Sequence, residues 1–177
     1  MVVYGLESPQ ARKLSTTLLA RAVREHWGLI ELPEIARGPH GKPYFPGLEQ
    51  YQFNLSHSGN YVVCALGRTP VGIDIQIPTA RREYFLDRIC SGQQRAWLRS
   101  RNDSPEAVAL LWSMKESLCK YDGRGLTRPI NVIDVPLPEA GERRKEQNGL
   151  NFYLRESQNW QLCLCTQERW DGEILWI

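Results

Sequence analysis

Leu110-Leu-Trp-Ser-Met-Lys-Glu-Ser-Leu-Cys-Lys120 reads as the second half of a helix. Ser104 is its N-cap, Pro105 takes the first helical position and Glu106 lies in the first turn. Val108, Leu111, Trp112 and Leu118 fall close to one apolar stripe at helical spacing. Gly123, followed by Gly125, is the stop signal. Lys115, Glu116 and Lys120 stand near the end, and Glu116 and Lys120, four apart, share a face. On the helix alone that pair is an ordinary solvated ion pair, worth about 0.2–0.5 kcal/mol.

A second stretch, Pro70-Val-Gly-Ile-Asp-Ile-Gln76, changes that reading. Asp74 sits in a β-branched run, where an unpaired carboxylate is costly. Side chains alternate along a strand, so Asp74 and Gln76 share a face with Gly72, while Val71, Ile73, Ile75 and Ile77 turn the other way into a core. The glycine leaves room for close approach of a ligand. A polar stripe beside a clean apolar one reads as a site; a solvated strand face is the alternative.

The rest of the chain sets the frame. At 177 residues, 42% hydrophobic and 24% charged, it is an ordinary globular sequence with room for one substantial core or two small subdomains. A net charge of +2 gives no argument for nucleic acid, though it permits a local basic site. No apolar run approaches a membrane span and no signal pattern opens the chain, so the expected compartment is the cytoplasm. Five cysteines, an odd number, fit reduced thiols there. Cys163 and Cys165 share a strand face, but the others are scattered singly and no zinc site is expected.

In chain order, residues 2–6 form a short strand, and Ser8 and Pro9 open a helix that runs to Trp27 and ends at Gly28. Its cations, Arg12 and Lys13 among them, fit a solvated face. Residues 32–47 are an irregular connection holding Gly38-Pro-His-Gly-Lys-Pro43. Lys42 there suits a fixed phosphate contact or a plain turn. Residues 51–56 and 61–66 are strands joined by the loop His57-Ser58-Gly59-Asn60, with Ser56 and His57 at the strand end. After the strand at 71–77 come helices over 81–90 and 93–101, with Ser91 as a cap between them. A strand over 128–135 is weakened by Pro129, and 136–149 reads as a mobile loop. Strands over 151–156, 160–166 and 173–177 close an antiparallel sheet. The fold class is therefore α+β, as two halves, 1–70 and 71–177, with the Asp74 strand at the seam, where small ligands tend to bind.

Gly41-Lys-Pro43, Phe53-Asn-Leu-Ser-His57, Val71-Gly-Ile-Asp74 and Trp112-Ser-Met-Lys-Glu-Ser-Leu-Cys-Lys120 occur in one order and at intervals that resemble the Sfp-type 4′-phosphopantetheinyl transferases. The tail Gly123-Arg-Gly-Leu126 also looks like that family. The resemblance covers residues 10–135. It implies two pseudo-symmetric α+β halves with the active site at their junction. It implies transfer of the 4′-phosphopantetheine arm of coenzyme A to a serine of an acyl or peptidyl carrier protein, with release of 3′,5′-ADP. Fatty acid, polyketide and nonribosomal peptide synthesis are all served by such enzymes. By the same resemblance Mg²⁺ is held by Asp74, Glu116 and Gln76. Glu116 is the base, and Lys120 assists the departing phosphate. Lys42, Ser56, His57 and Lys115 bind the phosphates of the nucleotide.

Two departures matter. Many relatives carry glutamate where this chain has Gln76, so one negative charge is lost. Larger relatives also carry a basic segment before the first helix, for which Arg12 and Lys13 are the expected substitutes. The competing class is a non-catalytic coenzyme A or carrier-binding relative with a decayed metal site. The retained Asp74, Glu116, Lys115 and Lys120 argue against decay. Arg124 and Arg128 are candidates for a basic rim facing an acidic carrier. Internal symmetry within one chain leads to the expectation of a monomer.

Overall fold

The computed structural model describes residues 1–125 and 127–177. Leu126, at the end of the Gly123-Arg-Gly-Leu126 tail, lies outside the described residues. The first half supplies β1 (Val2–Glu7), α1 (Ser15–Trp27), a small ribbon of β2 (Ala36–Arg37) and β3 (Pro43–Tyr44), and the hairpin β4 (Gln52–Ser58) and β5 (Tyr61–Gly67). Then come β6 (Val71–Gln76), α2 (Glu83–Ile89), α3 (Gly92–Arg99), α4 (Pro105–Asp122) and a single 3₁₀ turn, Ile130–Val132. The chain closes with β7 (Arg144–Gln147), β8 (Leu150–Glu156), β9 (Gln161–Thr166) and β10 (Ile174–Trp176).

Two four-stranded sheets result, ordered β10-β1-β5-β4 and β6-β9-β8-β7. Val3, Val63 and Ala65 of the first sheet pack against Val71, Ile73, Ile75, Leu162 and Leu164 of the second. Leu18, Leu19, Ala22 and Val23 of α1 cover the outer face of the first sheet through Tyr4, Val62, Cys64 and Leu66. Leu111 and Met114 of α4 cover the second through Phe152, Leu154, Cys163 and Cys165. The molecule is thus a helix–sheet–sheet–helix stack of the α+β class. β5 and β9 are buried along their whole length because both their faces are covered. All five cysteines are free and buried. Among the described residues no helix is long and apolar enough to cross a membrane.

β6 pairs with β9 along one edge only. Its other edge faces β4, whose side chains take the place of a partner strand. Asn54 Oδ1 accepts from the Ile73 N–H (2.9 Å), Ser56 Oγ from Ile75 (3.3 Å) and Ser58 Oγ from Ile77 (3.0 Å). An interior edge must be satisfied somehow, and alternate residues of β4 do it.

Several elements differ from expectation. α1 begins at Ser15, and residues 9–14 are turns. His57 and Ser58 belong to β4, and the hairpin turns at Gly59-Asn60 alone. No strand forms over 128–135; Pro129 lacks an N–H, and a 3₁₀ turn follows it. Part of the expected loop 136–149 is β7, joined to β8 by Asn148-Gly149, both at positive φ (54° and 75°), the signature of a tight type I′ hairpin. β10 crosses back to lie parallel to β1 in the first sheet. α4 has no single apolar stripe: Ala107 through Leu111, Ser113, Met114, Lys115, Ser117 and Cys119 are all buried. Its boundaries follow the sequence, with Ser104 Oγ accepting from Ala107 N–H and Gly123 at φ 70°.

Gly72 has a different use from the one its setting implies. A Cβ there would lie 2.0 Å from the Ser117 carbonyl oxygen and 2.4 Å from the Tyr121 nitrogen. The glycine therefore admits the backbone of α4, not a ligand. Gly72→Ala is expected to lower stability by about 3 kcal/mol or more, since rigid backbone must move aside. Urea unfolding monitored by tryptophan fluorescence measures this; an unchanged midpoint would show that α4 tolerates displacement.

Candidate active site

Close approach at Gly72 lays α4 across β6, and three elements converge. From β6 comes Asp74, from α4 Glu116 and Lys120, and from β4 Ser56. Asp74 is buried and fully engaged: Oδ1 accepts from Ser56 Oγ (2.7 Å) and Lys120 Nζ (2.6 Å), and Oδ2 from Gln76 Nε2 (2.7 Å). Lys120 also donates to Ser56 Oγ (3.0 Å) and to the Ile73 carbonyl (3.1 Å). Its three N–H groups are thereby all used. The expected Glu116–Lys120 ion pair does not form; Lys120 is committed to Asp74 instead.

Glu116 takes no hydrogen bond from any of the described residues. Burial and then the like charge of Asp74 raise its pKa, and the Lys120 ammonium only partly opposes them. Asp74 and Glu116 thus lie close together, with Lys120 the cation beside them. The available donors are carboxylate oxygens of Asp74 and Glu116 and the amide oxygen of Gln76, whose nitrogen is turned to Asp74. Among the described residues no cluster of three His, Cys, Asp or Glu side chains forms. An all-oxygen set of this kind fits a hard cation that completes its shell with water or phosphate, and does not fit zinc.

The group opens into a cleft of about 500 Å³. Arg12, Arg37, His40, Lys42, His57 and Lys120 line it, with Glu116 as its carboxylate. His57 is exposed at its mouth; partial burial and then the charges of Arg12 and Lys120 lower its pKa. A smaller recess of about 130 Å³ lies on the other side of Gln76, between Arg81, Phe85 and Trp112. A basic cleft ending on oxygen donors suits a polyphosphate ligand.

Comparison with known proteins agrees with this chemistry. Residues 70–171, from the start of β6 to beyond β9, match the model of the 4′-phosphopantetheinyl transferase superfamily. The chain belongs to that superfamily. It is 36% identical over 142 residues to a 4′-phosphopantetheinyl transferase of Bacillus subtilis, covering 78% of this chain and 63% of the relative. It is 35% identical over 105 residues to the 4′-phosphopantetheinyl transferase Sfp of Bacillus subtilis strain 168, covering 58% and 47%. With the 4′-phosphopantetheinyl transferase gsp of Aneurinibacillus migulanus the figures are 33% over 97 residues, 54% and 40%. The chain thus spans roughly two fifths to three fifths of the length of these relatives.

Within this superfamily member the expected site residues divide. Asp74, Gln76, Glu116, Lys120 and Ser56 come together, and Arg12, Lys42 and His57 line the cleft. Lys13 is exposed and lines no part of it. Lys115 corrects the expectation most clearly. It is fully buried on the opposite side of α4, where Nζ donates to the carbonyls of Ile89 (2.5 Å) and Ile130 (2.9 Å). Successive helix positions diverge by about 100°, so a lysine next to Glu116 cannot share its face. Arg37 and His40 were not singled out by sequence reasoning. Their signal was their place beside Lys42 in one short Gly- and Pro-rich loop.

Burial pushes the Lys115 ammonium down to about 8. The unfolded chain therefore holds more protons between pH 8 and the ordinary lysine value, and stability rises with pH across that window. Lys115→Met should lose about 1–3 kcal/mol from stranded carbonyls at pH 7. The gap from wild type should widen toward pH 10. Denaturant titrations at pH 7 and 9.5 test both statements; a gap that closes with pH refutes the assignment.

Proposed function

We propose that the chain transfers the 4′-phosphopantetheine arm of coenzyme A to a serine of an apo acyl or peptidyl carrier protein, with Mg²⁺, releasing 3′,5′-ADP. The observation that carries this is that Glu116 and Lys120, the latter bonded to Asp74, line one cleft with Arg12, Arg37, His40 and His57. The cleft supplies positive charge for the phosphates of coenzyme A. Glu116 and Lys120 supply a base and a cation for the transferred phosphoryl group.

Asp74, Glu116 and Gln76 would hold the metal, which when bound neutralises charge on the pyrophosphate. The chain's own residues do the rest. Glu116, raised in pKa and without a hydrogen-bond partner among the described residues, accepts the proton of the carrier serine. The serine oxygen bonds to the phosphorus that carries the arm, and the bond from that phosphorus to 3′,5′-ADP breaks. The electron pair leaves on the ADP phosphate, toward which Lys120 turns one N–H from a neutral acceptor, Ser56 or Ile73. Asp74 holds Lys120 in place, and Ser56 holds Asp74. Arg12, His57 and their neighbours fix the nucleotide phosphates. Arg124 and Arg128, exposed just beyond α4, form the rim for an acidic carrier.

Intact-mass spectrometry of an apo carrier protein incubated with the chain, coenzyme A and Mg²⁺ tests the proposal. A gain equal to the phosphopantetheine arm is expected, falling by about two orders of magnitude or more in Glu116→Gln. No gain on acyl and peptidyl carriers alike would sink it.

Gln76 allows a separate check on the metal. Glu in its place sets a third carboxylate against Asp74 Oδ2 in place of a hydrogen-bond donor. Gln76→Glu should melt at lower temperature than wild type without Mg²⁺ and gain more from its addition. An equal Mg²⁺-induced shift in both proteins would place Gln76 outside the metal's ligand set.

A further inference from the structure

Lys42 lines the cleft, yet its ammonium is engaged elsewhere. Nζ donates to the Tyr121 carbonyl in the last turn of α4 (2.8 Å) and to the Val71 carbonyl at the start of β6 (3.2 Å). Carbonyls in a last helical turn lack intrahelical partners, and a cation there meets the negative end of the helix dipole. Its stem passes the C-cap: a Cβ on Gly123 would lie 3.1 Å from Lys42 Cδ.

The loop that carries Lys42 is a self-contained unit. The Gly38 N–H donates to the Lys42 carbonyl (2.9 Å), the Gly41 N–H to that of Gly38 (2.9 Å), and Arg37 Nη1 to that of Gly41 (3.0 Å). Its ribbon, β2–β3, joins neither large sheet. The same ribbon gives Arg37 and His40 to the cleft wall. Burial also brings the ammonium down to about 8. That costs little in a contact with carbonyls, because a neutral amine keeps two N–H groups for two acceptors.

We propose that Lys42 is a positioning residue, not a phosphate ligand: it latches the β2–β3 ribbon onto β6 and α4 and so fixes the Arg37–His40 wall opposite Glu116. Its consequence for binding rests on the reading of the cleft as the coenzyme A site; the latch itself does not. Lys42→Met keeps the stem and removes the donors.

Two measurements on the full chain decide it: hydrogen–deuterium exchange without ligand, and calorimetric titration with coenzyme A. Wild type should protect the amides of Gly38 and Gly41. Lys42→Met should exchange across 38–43 about tenfold faster or more, with the centre of α4 unchanged. It should also bind coenzyme A about tenfold more weakly. Weaker binding with unchanged exchange would make Lys42 a direct ligand and overturn the latch. Faster exchange with unchanged affinity would overturn its positioning role. Free exchange at Gly38 and Gly41 in wild type would overturn the latch even if the variant failed to fold. If wild type itself does not bind coenzyme A, the functional reading has failed and the exchange comparison alone decides the latch.

Discussion

The structure depends on how one interior strand edge is satisfied. β6 is ladder-paired with β9 on one side and faces β4 without a backbone ladder on the other. The oxygens of Asn54, Ser56 and Ser58 take its outward N–H groups instead. This stitch holds the two sheets in register without merging them into one. The cleft opens beside β4, lined by Asn54, Leu55 and His57. Ser56 serves both purposes, accepting from the β6 backbone and donating to Asp74.

The second constraint is the contact of α4 with β6 at Gly72. It brings two helix residues four apart, Glu116 and Lys120, onto a strand carboxylate. Helix and strand periods coincide only over a short span, so a site of this kind is confined to about one turn. Lys120 reaches Asp74 and Glu116 does not pair with it. The same helix is anchored at two other points by lysines, one buried and one half-buried. Lys115 ties it to the end of α2 and to the 3₁₀ turn, and Lys42 ties its C-terminus to the ribbon. In each case an ammonium joins carbonyls that secondary structure leaves without partners.

Much of this was legible in the sequence. The caps of α4, Ser91 as the cap before α3 and the two faces of β6 follow from local rules and appear as expected. So does the meeting of Asp74 with the α4 residues, which the joined motifs implied. Other features depend on distant groups. Nothing near Lys115 says that its ammonium will find two carbonyls, because those belong to Ile89 and Ile130. Gly72 looked like room for a ligand because the helix that fills it lies more than forty residues further along the chain. β7 is the exception. Asn148-Gly149 is a strong local hairpin signal, and the charged flanks hid it by resembling a solvated loop.

Charge balance in the site follows from these constraints. Asp74 is neutralised by Lys120 and fixed by Ser56 and Gln76, so it is rigid before any ligand arrives. Glu116 is the reverse, half-buried, raised in pKa and without a partner among the described residues. A carboxylate left in that state costs folding energy, and a fold selected for stability alone would replace it with an apolar residue. Of the cations in the cleft wall, Lys42 and Lys120 are committed to carbonyls and to Asp74. Glu116 beneath a basic wall is thus the feature of the site that stability does not explain, and the proposal of a phosphate-bearing substrate starts from it.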